Sequence, residues 1–95
     1  MVKINVKEIS ADDKGWKFEV EISEKDSKTK HEVVLSKEYY EKLITDNEAS
    51  PGLLVEKSIG FLLEREPKES ILAEFDLKII KNYFPEYEDE ILVRF

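Results

Sequence analysis

The chain has 95 residues, enough for one domain with a modest core, and hydrophobic residues make up 41% of it, which argues against disorder. It holds no cysteine, so disulfides, thiolate metal sites and cysteine nucleophiles are excluded. Twenty-two acids against fifteen bases give a formal charge of −7, which repels phosphate backbones and disfavours non-specific nucleic-acid binding.

Val2, Ile4 and Val6 alternate with Lys3, Asn5 and Lys7, the two-residue period of a half-buried strand. This start lacks the apolar centre of a signal peptide, and no apolar run approaches the ~20 residues of a membrane span. A soluble, cytoplasmic protein away from membranes is the expectation. Residues 10–15 carry turn chemistry, with Asp12, Asp13 and Gly15. Trp16, Phe18, Val20 and Ile22 then alternate with Lys17, Glu19 and Glu21. After a polar loop over 23–28, His31, Val33 and Leu35 form a third alternating set. The pattern predicts a three-stranded antiparallel meander over 1–35 with one face covered. Pairing Val6 with Phe18, Ile4 with Val20 and Val2 with Ile22 keeps the apolar faces together and sets Lys3 opposite Glu21.

Ser36 is placed to cap a helix, with Glu38 in its first turn and Tyr39, Tyr40, Leu43 and Ile44 on its sticky face. Ser50 caps a second helix, and Pro51 suits its first position. That helix is apolar around most of its girth, with a narrow polar stripe of Glu56, Lys57, Gly60 and Glu64. It must lie between the sheet and later helices, or form a dimer seam. Pro67 opens a new segment with Ile71, Leu72 and Phe75 inward. Asp76 can cap a further helix that Pro85 ends. The acids between 86 and 90 read as a solvated turn, and the apolar 91–95 as a docked tail. The fold class expected is therefore α+β: a meander over 1–35, then three to four helices over 36–90 packed on one face, then the tail, in a single domain over 1–95.

The strand His31 to Leu35, the capped helix from Ser36, the turn after Thr45 and the helix opening Ser50-Pro51 resemble the ribbon-helix-helix module of small DNA-binding regulators. The resemblance implies strands paired across a dimer, with outward side chains reading base edges. Here those positions hold Glu32 and Val34, which suit neither bases nor phosphate, with only Lys28 and Lys30 nearby as positive charge. A second resemblance rests on residues 61–67 (Phe61 to Pro67), Ser70-Ile71-Leu72, Phe75-Asp76-Leu77 and residues 83–88 (Tyr83 to Glu88). This block resembles one in small uncharacterised bacterial and archaeal proteins, a family with no assigned activity. It implies the fold and carries over no functional residue.

His31, the single histidine, falls on the core side of its strand and reads as structural, because catalysis or metal binding needs convergent partners. Glu86, Glu88, Asp89 and Glu90 lack the glycine and alternating ligands of a calcium loop. There are three glycines and no phosphate-cradling loop. Gly60 in mid-helix serves either a close helix approach or nothing. Abundant lysine and absent glutamine fit a thermophile and an AT-rich genome equally.

No cofactor, metal or catalytic group is expected, and the chain is not read as an enzyme. The expected role is protein–protein interaction or structural support, with an unidentified protein partner or a homodimer through the second helix. The candidate surface is Tyr39, Tyr40, Gly60, Phe61, Tyr83 and Tyr87. The rivals are a ribbon-helix-helix regulator and an acidic protein that occupies a basic site on a nucleic-acid-binding partner. The tail at 91–95 is the alternative cover for the second helix.

Overall fold

The computed structural model describes residues 2–45 and 49–95. It is α+β, with a four-stranded mixed sheet and four α-helices. Strands β1 (Val2–Asp12), β2 (Gly15–Glu24) and β3 (Ser27–Ser36) form the expected antiparallel meander. The sheet has a fourth strand that the alternation did not reveal: β4 (Glu74–Asp76) lies parallel to β3, pairing Val33 with Phe75. The sheet order is β1-β2-β3-β4. Three residues are too few to display a two-residue period, and a parallel partner needs a long crossover that local sequence does not announce.

The β1–β2 register differs by two residues from the expected one. Val6 faces Val20, Ile4 faces Ile22, Val2 faces Glu24 and Lys3 faces Ser23. The cause is a tight turn in place of an open loop. Asp12 pairs with Gly15, and the Asp12 carboxylate accepts the backbone N–H groups of Lys14 at 2.8 Å and Gly15 at 3.1 Å. Continued without interruption, that turn would set Val6 opposite Glu21, on the wrong face. A bulge at Ile9, between Glu8 and Ser10, restores the phase. Gly15 is required where it stands. Its φ is +152°, and a Cβ there would collide with the Leu35 carbonyl oxygen.

One face of the sheet forms the core: Phe18, Val20 and Ile22 on β2 and Val33 and Leu35 on β3 are each at most 2% exposed. Helices α1 (Lys37–Leu43) and α2 (Pro51–Leu63) begin at the expected caps, Ser36 accepting from Tyr39 N–H at 3.1 Å and Ser50 from Leu53 N–H at 3.2 Å. Helix α2 packs on β1 and β3 and touches α4 on its other side, so its apolar girth is used within the chain. Beyond α2, a 3-10 turn (Lys68–Ser70) leads into β4. Asp76 then caps a 3-10 turn (Leu77–Ile79) that runs on into α3 (Ile80–Tyr83).

The acidic stretch is not a solvated turn. It forms α4 (Tyr87–Ile91), because Tyr87 and Ile91 lie four residues apart on one helical face and are both fully buried. After α4, the 3-10 turn Leu92–Arg94 is tied down by Arg94, whereas Val93 is 81% exposed. No described helix is long and apolar enough to cross a membrane.

The strand that resembles a ribbon has no free edge where the ribbon would pair. Glu32 lies between Glu19 of β2 and Glu74 of β4, and its carboxylate meets Lys17 at 3.1 Å.

Candidate interaction site

The six residues proposed from sequence do not form one surface. Phe61 and Tyr87 meet edge to face, with ring centroids 5.2 Å apart, and both are fully buried. Ser58, which the sequence pattern does not single out, joins them. Its hydroxyl donates to the Leu54 carbonyl at 2.7 Å, so the Tyr87 hydroxyl must be the donor in the 2.6 Å contact between the two side chains. Burial is the main reason the Tyr87 phenol is held well above its ordinary pKa. Tyr39 is buried too and donates to Glu88 at 2.9 Å. Burial first, and that carboxylate second, push its pKa up. Tyr40 is half-buried, lies edge to face with Trp16 at 5.2 Å and donates to the Ala49 carbonyl. A Cβ on Gly60 would meet nothing within 4 Å among the described residues, so no described helix approaches there. Tyr83 alone is broadly open, at 67% exposure.

Charged groups that come close are joined to one another. The Arg65 guanidinium sits 3.6 Å over the Phe61 ring. It donates to Glu86 at 3.2 Å, to Glu90 at 2.9 Å and to the Phe61 carbonyl at 3.1 Å. Arg94 holds both oxygens of Glu64, at 2.9 and 2.6 Å, and that hydrogen bonding draws the Glu64 pKa down. Glu86 is lowered first by a backbone hydrogen bond and then by Arg65. Lys68 is 5% exposed and bonds Glu69 at 2.7 Å, which raises the lysine and lowers the acid, with Glu24 at 3.6 Å behind it.

His31 is held on both ring nitrogens. Nδ1 donates to the Leu72 carbonyl at 2.7 Å, since a carbonyl only accepts, and Nε2 contacts the Thr29 hydroxyl at 2.8 Å. It clamps β3 to the segment that leads into β4. Among the described residues no three of His, Asp and Glu form a metal-holding group, and no buried side-chain polar atom lacks a partner.

Two surfaces among the described residues bear on an interaction role. One is a cleft of about 130 Å³ between the end of α2 and the β4–α3 segment, lined by Leu62, Ile71, Phe75 and Phe84 with Tyr83 and Leu72 at its mouth. The other is the outer edge of β1. Among the described residues this eleven-residue strand pairs with β2 on one side and with nothing on the other. Its core-facing side chains are only partly covered: Val2 is 39% exposed, and Ile4 and Val6 are half-buried against the core. The sequence signal for this site was present, because the first strand of a meander is an edge unless a later strand covers it.

No protein-family model, no curated protein and no solved structure matches the chain.

Proposed function

We propose that this chain is a non-catalytic protein-interaction module that receives a partner strand along β1. One observation carries the reading: a long strand lies at the sheet edge, with backbone groups on its outer side that no described strand pairs and a half-covered aliphatic row of Val2, Ile4 and Val6. An added strand gains about 0.5–1.5 kcal/mol for each backbone hydrogen bond it makes. It also covers aliphatic groups, each worth about 1.5–3 kcal/mol when taken from full exposure to full burial, so roughly half of that here. The titratable groups that lie close together support the same reading, since their bonding capacity is spent on holding α2, α4 and the terminal turn in place.

The test compares capture by tagged full chains in the native host. Proteins retained by the wild type, untagged copies of the chain included, should be lost from an Ile4→Lys/Val6→Lys double variant. A Tyr83→Ala variant should keep them. The reverse pattern would move the function to the cleft beside α3.

A further inference from the structure

We infer that the strand added to β1 is β1 of a second copy, running antiparallel about a two-fold axis at Ile4, so that two four-stranded sheets become one of eight strands. The inference rests on the reading of β1 as a docking edge and names its occupant.

Register decides how two β1 strands can pair. Side chains on β1 alternate between the core face, with Val2, Ile4 and Val6, and the open face, with Lys3, Asn5 and Lys7. A pairing out of phase by one residue would set aliphatics of one copy beside lysines of the other, and would place the two helical layers on opposite faces. Only in-phase registers keep both apolar rows under one continuous layer. Within residues 2–8 an axis at Val2 pairs only the strand's end, and one at Lys3, Lys7 or Glu8 sets a charged residue opposite its own copy, which leaves three to compare. An axis at Asn5 sets Lys3 directly opposite Lys7 twice over, which like charges disfavour. An axis at Val6 sets Ile4 opposite Glu8 and Val2 opposite Ser10, and runs the pairing through the bulge at Ile9, where the strand bends. An axis at Ile4 sets Ile4 against Ile4 and Val2 against Val6, and puts Lys3 beside Asn5. It uses only the regular part of the strand, before the bulge.

This register is self-complementary in each row, as a two-fold interface requires. On the open face Asn5 already faces Glu21 of β2, so Lys3 of the other copy arrives one strand away from a carboxylate. The lysines that guard this edge against indiscriminate pairing thus select one register of self-pairing over its neighbour.

The chain contains no cysteine, so single-cysteine variants report the axis cleanly. Residues directly opposite in an antiparallel pair have Cα atoms about 4.5–5.5 Å apart, within the range a disulfide spans. Wild type should be dimeric by sedimentation equilibrium. Mild oxidation should link Ile4→Cys as a dimer, with Asn5→Cys and Val6→Cys linking far less. Ile4→Lys should be monomeric with an unchanged far-ultraviolet spectrum, and if it fails to fold the cysteine set still decides. A wild type that stays monomeric at its highest concentration overturns the second copy. Strand addition itself then stands or falls on the capture comparison. A dimer linked best through Asn5→Cys or Val6→Cys overturns the axis. A dimer linked through none of the three overturns both the axis and the use of β1.

Discussion

Tyr87 and Ser58 share one proton-ordered contact deep in the core, and its direction has a measurable consequence. Because Ser58 spends its proton on the Leu54 carbonyl, Tyr87 must donate. Removing the tyrosine hydroxyl leaves Ser58 still bonded. Removing the serine leaves a buried phenol without an acceptor, which costs about 1–3 kcal/mol against about 0.5–1.5 kcal/mol for a lost bond. Ser58→Ala should therefore lower the urea midpoint more than Tyr87→Phe, despite alanine's better helix propensity. The opposite order would contradict the donor assignment. The same burial holds Tyr39 and Tyr87 above the ordinary phenol range. The stability they carry is complete below about pH 10 and is lost as pH rises through their folded values. Alkaline titration followed by ultraviolet absorbance should show these two ionising together with unfolding. Gly15 is equally testable: Gly15→Ala drives a Cβ into the β3 backbone and should destabilise by more than the ~1 kcal/mol of an ordinary glycine exchange.

Elements were legible from sequence wherever a period and a cap coincided. Ser36 and Ser50 cap the helices that the apolar spacing defines, and Phe18 and Leu62 lie in the core that spacing assigns to them, at 2% and 5% exposure. Three features were not legible, each for a physical reason. β4 spans three residues and depends on a clamp from His31 to Leu72, forty-one residues away in the chain. α4 is hidden by its composition: its acids suit water until Arg65, Lys42 and Lys81 are brought beside them by the fold. The β1–β2 register depends on where a single bulge falls, which alternation alone does not fix. The candidate site followed the same division. Aromatic character marked Phe61, Tyr39 and Tyr87 as a candidate surface, and the fold buries all three. Gly60 has open space around it in the middle of α2, so Gly60→Ala should stabilise the chain by about 0.5–1 kcal/mol, read as a higher urea midpoint with unchanged slope. A loss of stability would mean that a close approach at Gly60 exists in solution, and would return the seam to α2.

At the scale of the whole molecule, charge and sheet edge act together. Glu64, Glu69 and Glu86 all have pKa values drawn down in the folded chain. The stability they carry is present above the ordinary carboxylate range and is lost as pH falls through the folded values, so the urea midpoint should drop as the solution is acidified below the ordinary carboxylate range. Lys68 and Arg94 are shifted upward, so their contribution persists through neutrality and is lost only in strong alkali. A net charge of −7 also makes copies repel, and added salt screens that repulsion, so self-association through an apolar row should strengthen with salt. The most direct measurement is amide hydrogen exchange on the full chain at low and high protein concentration. Residues 2–6 of β1 include outward amides that no described strand covers. Their protection should rise with concentration, while exchange around Leu72 and Tyr83 stays constant. Exchange in residues 2–6 that does not change with concentration, or protection that grows at Tyr83 instead, would contradict the assignment of β1 as the surface on which this chain meets another copy of itself.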